Sequence, residues 1–285
     1  MKDTVILYHG NCPDGFAAAY AAWKKFGANA TYIPVYHGEP YPAELAGREV
    51  YILDFSYPLE ALLAIEANAK RLVVLDHHIG AKEAVEAVRE HIFDNDHSGA
   101  GIAWKYFHPE QKFPRILAYI EHNDLWRHEM AHAKVVGAYL GTIVFDFVLF
   151  DHLVVTGEDD IRFQEIVAKG TAYREYYDHV CKFLCEQAEE VTFDGFTVLA
   201  TNAPRLFRSE VGHALAKKMA PFGIVYYPYG GSWHCSLRGD GTIDLSLLAQ
   251  VHGGNGHHNA ASFRVPITDP LPFRFVKKSE DSSSA

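Results

Sequence analysis

Leu72-Val73-Val74-Leu75-Asp76-His77-His78 decides how this chain is read, because an apolar, strand-like run ends in three consecutive side chains able to bind a metal or carry a proton. In an open parallel sheet the C-terminal ends of the strands face the ligand crevice, so the backbone delivers such a triplet to one place. Taken alone, Asp-His is as readily a polar strand end followed by a loop. Two further runs behave alike: Val50-Tyr51-Ile52-Leu53 leads straight into Asp54, and Val5-Ile6-Leu7-Tyr8 into His9, with Asp14 following in a turn that contains Gly and Pro. A fourth carboxylate, Asp124, follows the apolar stretch Ile116-Leu117-Ala118-Tyr119-Ile120. Each of these carboxylates singly fits a turn or a helix cap, but their recurrence points to a shared site.

Outward from these runs, the first half alternates strand and helix patterns. Phe16-Ala17-Ala18-Ala19-Tyr20-Ala21-Ala22-Trp23 is an Ala-rich helix former that starts beside Asp14 and Gly15. The patterns predict strands over 32–36, 50–54 and 72–76, helices over 59–68 and 81–90, and a helix capped by Ser98 and running to Phe107. That order predicts an α/β fold with a parallel sheet and helices on both faces. Residues 113–151 are apolar but follow neither period, and 143–150 reads equally as a buried helix or a strand.

Farther on, Phe163, Ile166, Val167, Gly170, Tyr173, Tyr177, Val180, Leu184 and Ala188 recur every three or four residues, the pattern of one long connector helix. Asp194-Gly195 then signals a hairpin, and strand patterns over 223–227, 233–238 and 262–266 with a helix over 209–219 predict a smaller mixed α/β domain. The expected organisation is a first domain over 1–155, a connector helix over 156–191, a second domain over 192–276 and a frayed tail over 277–285.

At 285 residues the chain can build a substantial core or two domains, and 48% hydrophobic with 22% charged residues is an ordinary globular balance. No apolar run approaches the roughly 18 residues of a membrane span, and no signal-peptide core precedes Val5, so a soluble, cytoplasmic protein is expected. Four scattered cysteines do not form a disulfide framework, which fits a reducing compartment, and Cys181 and Cys185, one helical turn apart, read as packing residues. A formal charge of -10 argues against wrapping long duplex nucleic acid, which needs a basic face, yet leaves room for a short phosphorylated ligand. The oligomeric state is open, a homodimer included.

Asp and His mixed at one site suit a pair of divalent metals, in which a carboxylate bridges the ions and imidazoles complete the shells. Two ions roughly 3.5 to 4 Å apart can generate hydroxide and stabilise both oxygens of a phosphoryl transfer. The nitrogen and oxygen donors favour Mn²⁺, with Mg²⁺, Co²⁺ and Zn²⁺ as alternatives. A second cluster, Gly253-Gly254-Asn255-Gly256-His257-His258-Asn259-Ala260-Ala261-Ser262, reads either as a plain flexible loop or as one allowing close approach to an anion, to which His257 or His258 donates. Arg238, closing the strand pattern at Ser236-Leu237-Arg238, is placed either to clamp a phosphate or simply at the surface.

The ordered set His9 to Gly15, Asp54, Asp76-His77-His78 and Asp124 resembles the four motifs of the DHH phosphoesterase superfamily. Ser236-Leu237-Arg238 with the stretch from Gly253 to Ala261 resembles the DHH-associated substrate-binding domain, so the likeness covers nearly the whole chain. The resemblance implies a metal-binding catalytic domain followed by a substrate-binding one. It implies Asp54 as bridging ligand and His9, Asp14, His77 and Asp124 as terminal ligands. His78 would face the substrate phosphate, and Asp76 would ligate or orient the neighbouring imidazole. Arg238 and His257 would hold substrate from the second domain, and the loop reading adds Gly254, Gly256 and His258 as expected substrate-binding positions. The implied reaction is attack of a metal-bound hydroxide on phosphorus.

One departure stands out. The family's first motif commonly supplies two aspartates separated by one residue, whereas this chain reads Cys12-Pro13-Asp14-Gly15-Phe16. Either Cys12 stands for the first aspartate or Phe16 for the second. The expected activity is a phosphoesterase acting on short oligonucleotides or small nucleotides, in the manner of an exonuclease on very short strands. The alternatives are a polyphosphatase or pyrophosphatase, and a nucleotide sensor without catalysis. Tyr229 or Trp233 would favour a nucleobase if either lined the cleft.

Overall fold

The computed structural model describes residues 2–127 and 129–276 and divides into two units, Met1–Arg174 and Glu175–Ala285. The tail expected over 277–285 lies outside the described residues.

The first unit begins with β1 (Thr4–His9), α1 (Pro13–Phe26) and β2 (Ala30–Val35). Pro13 starts α1 at a position where its missing N–H costs nothing, and Asp14 in the first turn with Lys24 and Lys25 in the last complements the helix dipole. β3 (Glu49–Leu53), α2 (Leu59–Asn68), β4 (Arg71–Asp76), α3 (Lys82–Glu86) and β5 (Glu90–Phe93) complete a five-stranded parallel sheet of order β2-β1-β3-β4-β5. The expected helix over 81–90 is thus corrected. Only Lys82–Glu86 is α-helical, and Glu90 already opens the edge strand.

Period-2 alternation sorts the strand side chains onto two cores. Ile6, Tyr51, Leu53, Val73 and Leu75 join the side covered by α1, while Val5, Leu7, Val50, Ile52, Leu72 and Val74 pack with Leu62 and Ile65 of α2 and Val85 of α3. Both sets are almost wholly buried, which is why these strands read as continuous apolar runs. α4 (Gly99–Phe107), α5 (Arg115–Asp124), α6 (Ala133–Leu140) and α7 (Phe147–Thr156) add to the first core. The stretch left open at 143–150 resolves as an irregular segment over 143–146 leading into α7, whose N-cap Asp146 accepts from the Val148 and Leu149 amides.

α8 spans Asp160–Glu186. Its early residues Phe163, Ile166 and Val167 belong to the first core, whereas Cys181, Leu184 and Cys185 pack with Leu199, Val211, Leu215 and Val225. In the second unit β6 (Glu189–Phe193) and β7 (Phe196–Asn202) form the predicted hairpin, with Asp194 at φ 46° and Gly195 at φ 83°. α9 (Arg208–Lys218) crosses from β7 to the parallel β8 (Phe222–Tyr229), and β9 (Ser232–Gly239), α10 (Leu245–Val251), β10 (Asn255–His257), β11 (Ala260–Pro266) and β12 (Arg274–Phe275) follow. The sheet order is β10-β11-β9-β8-β7-β6-β12, with every pair except β7–β8 antiparallel. The stretch read as a Gly-rich loop is mostly a short hairpin, β10 paired with β11. Among the described residues no helix is long and apolar enough to cross a membrane.

Candidate metal centre

From β1 the sheet runs one way to β2 and the other way to β3, so the switch point of the topology lies between the ends of β1 and β3. His9 ends β1, Asp54 follows β3, and Asp76 closes β4 with His77 and His78 directly after it, all at that edge. Asp54 has a left-handed backbone (φ 55°), unusual for a residue other than glycine, while its amide still bonds Leu75 O at 2.9 Å. That conformation turns its side chain inward, where it is 1% exposed.

Around Asp54 the sequence-nominated residues converge. His77 Nε2 lies 3.2 Å from Asp54 Oδ1 and 3.5 Å from Asp124 Oδ2, and His9 Nδ1 lies 3.4 Å from Asp54 Oδ2. None of these approaches is a directed hydrogen bond: both Asp54 oxygens, His9 Nδ1, His77 Nε2 and Asp76 Oδ2 are buried without a hydrogen-bond partner. Buried polar atoms are normally satisfied, so this concentration of free lone pairs fits a cation. Among the described residues, three groups bring ligand atoms within 4.8 Å of one another: Asp54, Asp76, His77 and His78; His9, Cys12 and Asp54; and Asp14, His77 and Asp124. Asp54 and His77 each serve two groups.

Charge follows the same pattern. Burial would raise the Asp54 carboxyl, but His77 and His9 beside it hold it at about 2. Burial and the nearby Asp54 charge push Asp14 and Asp124 upward, with Asp124 also acting on Asp14. The cluster carries more carboxylates than its imidazoles neutralise comfortably.

Asp76 is fully buried and orients its neighbours. Its Oδ1 accepts from the His77 amide at 2.8 Å and the His78 amide at 3.3 Å and contacts His78 Nδ1 at 2.7 Å. That contact raises His78 to about 9, against the cost of its burial. Asp14 is seated by α4: Ser98 Oγ donates to it at 2.6 Å, Gly99 N at 2.7 Å and Ala100 N at 3.1 Å. Gly99 is required there, since a Cβ would overlap the Asp54 side chain. Glu121, 7% exposed, accepts from Ser98 N at 3.1 Å and meets His97 Nδ1 at the same distance, fixing the turn before α4. Neither Gly99 nor Glu121 was expected from sequence. The capping signal at Ser98 was visible, but its partner Asp14 is 84 residues away.

The two readings of the first motif separate. Cys12 shares a ligand group with His9 and Asp54, whereas Phe16 is 1% exposed and stacks on Phe145 and Phe147 at 4.8 Å each. Phe16 is a core residue.

In the second unit, a groove of about 970 Å³ is lined by Arg205, Arg208, Arg264, Tyr227, Tyr229, His234, Ser236, Gly254 and Asn255, among others. Arg238 is 8% exposed; its guanidinium donates to Leu237 O and Ser209 Oγ. Burial and the adjacent Arg208 lower its pKa to about 10. Gly256, His257 and His258 do not line this groove; His258 instead contacts Gly241 O and Asp244 near the start of α10. Of the aromatic candidates, Tyr229 is 72% exposed and lines the groove, while Trp233 packs edge-on to Tyr226. Arg205, Arg208 and Arg264 were missed because each is an unremarkable surface arginine in its own segment.

The sheet switch point with its acid and imidazole cluster, joined to a second mixed-sheet unit, defines a two-unit α/β protein with a candidate metal centre. Comparison with known proteins narrows the class. The chain has the DHH fold: it is similar to the solved structure of a DHH domain described as coming from a member of a family of ribosomal proteins (TM-score 0.59, 15% identity, 96% of this chain and 83% of that one). It is also similar to a pGpG-specific phosphodiesterase from Vibrio cholerae (TM-score 0.50, 14% identity, 94% of each chain). In sequence it is 29% identical over 300 residues to an uncharacterized protein of Acanthamoeba polyphaga mimivirus, covering 95% of this chain and 70% of the relative. No family model matches the chain. At the level of the fold, the ordered motifs therefore gave the correct expectation.

Proposed function

We propose that the chain is a metal-dependent DHH-type phosphoesterase that hydrolyses short oligonucleotides or small nucleotide phosphoesters. The observation that carries this reading is Asp54: a buried carboxylate with two unpartnered oxygens, flanked by His9 and His77. Asp54 would be shared between two ions, His9, Asp14, His77 and Asp124 would complete their shells, and Mn²⁺ is the first metal to try. A divalent metal held there supplies Lewis acidity and acidifies water.

The chain's own residues do the rest. Asp14 is fixed by three donors from the start of α4, so it presents its remaining lone pairs without rearrangement. Asp76 aims the His78 ring and favours its protonated form, suiting it to donate to a phosphoryl oxygen or to the leaving group. In the second unit, Arg205, Arg208 and Arg264 offer guanidinium donors to phosphates, and Tyr227 and Tyr229 offer faces on which a base can stack. This pairing of arginine with tyrosine supports a nucleotide over plain polyphosphate.

The test is a panel of dinucleotides, 3′-phosphoadenosine phosphate, cyclic dinucleotides, pyrophosphate and polyphosphate assayed with Mn²⁺ and with a chelator. Chelator-sensitive turnover of nucleotide esters is expected. Turnover of anhydrides alone would favour a polyphosphatase, and nucleotide binding without any turnover would favour a sensor.

A further inference from the structure

The metal groups around Asp54 are chemically unequal. The group formed by Asp14, His77 and Asp124 offers nitrogen and oxygen only, whereas that of His9, Cys12 and Asp54 adds a sulfur. Cys12 is the N-cap residue of α1, held extended (φ -126°) ahead of Pro13, and its thiol is within 4.8 Å of the His9 and Asp54 ligand atoms. Asp54 Oδ2 and His9 Nδ1, facing each other across that group, are buried without hydrogen-bond partners. Coordination to a divalent metal deprotonates a thiol outright, so the sulfur would bind there as a thiolate.

Resting on the phosphoesterase reading, we propose that Cys12 is a metal ligand and that the centre is asymmetric: a soft position at His9, Cys12 and Asp54 selective for Zn²⁺ or Co²⁺, beside a hard position at Asp14, His77 and Asp124 suited to Mn²⁺ or Mg²⁺. Soft thiolate donors shift preference toward Zn²⁺ and Co²⁺, while carboxylates suit the harder ions. Binding at the soft position releases the Cys12 thiol proton to solvent as the S–metal bond forms. The same residue explains how the first motif works with a single aspartate. Sulfur takes the place of the missing carboxylate, and Phe16 is left free to build the core.

Cobalt reads the sulfur directly. The full-length protein loaded with Co²⁺ should show the near-ultraviolet sulfur-to-cobalt charge-transfer band together with visible ligand-field bands. The charge-transfer band should vanish in Cys12→Ser, persist in Cys185→Ser, and be absent from Cys12→Asp, which should instead gain preference for Mn²⁺. Zn²⁺ should also protect one thiol of the unmodified protein from alkylation, and peptide mapping should identify it as Cys12; this measurement does not depend on any variant folding. Ligand-field bands without a charge-transfer band, a band surviving in Cys12→Ser, or Cys12 alkylated equally with and without Zn²⁺ would overturn the Cys12 assignment while leaving the metal centre intact. Failure to bind any cobalt would overturn the metal centre itself, and the asymmetry with it.

Discussion

The crevice edge of the parallel sheet and the arginine groove of the second unit are both polar regions, but they are incomplete in opposite senses. At the sheet edge the orphaned atoms are buried carboxylate oxygens with imidazole nitrogens among them: both Asp54 oxygens, Asp76 Oδ2, His9 Nδ1 and His77 Nε2. In the groove the surplus is of donors, with Arg205, Arg208 and Arg264 lining the wall and Arg238 buried beside Arg208. The first region wants a cation and the second an anion. Burial also differs, since Asp54 and Asp76 are closed off while Tyr229 is open to solvent. A buried unmatched group acts with a large free energy, and a solvated one with a small one. Substitutions in the two regions should therefore differ in size as well as kind.

The largest effect belongs to Asp54→Asn. An amide cannot act as a shared anionic ligand, and the Lewis-acid contribution it supports is worth several kcal/mol, so activity should fall by about 10³-fold or more. Folding should survive, because Asn keeps the volume and tolerates the left-handed backbone at φ 55°. Calorimetric titration with Mn²⁺ should show weakened binding in step with the lost turnover. Activity persisting at the unmodified level would remove Asp54 from the centre and dissolve the contrast between the two regions.

Next comes Asp76→Asn. This residue holds His78 rather than substrate, and loss of such an orienting partner typically costs about 10–100-fold. The decrease should fall on kcat more than KM. The pH profile distinguishes orientation from general damage. Asp76 raises His78 to about 9 from its ordinary 6.5, so activity that needs the protonated ring persists at neutral pH and fades as pH rises through that value. Without Asp76 the basic limb should move down toward about 6.5. An unmoved limb would show that His78 is not the titrating group.

In the groove, Arg208→Ala and Arg264→Ala should each raise KM about 10-fold with kcat nearly unchanged, and the increase should shrink as salt screens the remaining cations. A decrease in kcat instead would mean that the groove acts on the reacting atoms.

The same contrast explains what was legible in the sequence. Strands buried on both faces announced themselves as apolar runs, and the residues ending them were forced to one edge by the topology, so His9, Asp54 and Asp76-His77-His78 were readable as a set. β5 was hidden because Glu90-His91-Ile92-Phe93 is a half-exposed edge strand lacking any buried run. The donors that seat Asp14 were hidden for another reason. Ser98, Gly99 and Ala100 look like an ordinary helix start, and only the fold brings Asp14 over it. The groove was least legible of all. Arg205 and Arg208 precede or open α9 while Arg264 lies on β11, with β8, β9, α10 and β10 between them, and no local spacing links the three. Arg238, which did end a strand as read, proved buried against Ser209 and Gly212 of α9.

The smallest effect provides the control for carboxylates as such. Asp151 lies in the same unit as Asp54, yet it accepts from Tyr20 Oη at 2.7 Å and Lys24 Nζ at 2.8 Å. Against the cost of its partial burial, those partners hold it below the usual carboxylate range. A folded-state pKa below the unfolded one stabilises the protein above the unfolded value of about 3.9, and the contribution disappears as pH falls through the folded value. Asp151→Asn should thus lower stability by roughly 0.5–1 kcal/mol at neutral pH, as for a partly exposed pair. The gap to the unmodified protein, measured by urea denaturation, should close toward acid pH, with turnover and Mn²⁺ affinity unchanged throughout. If Asp151→Asn impaired metal binding as Asp54→Asn does, the distinction between a satisfied carboxylate and an orphaned one would not be what marks the centre.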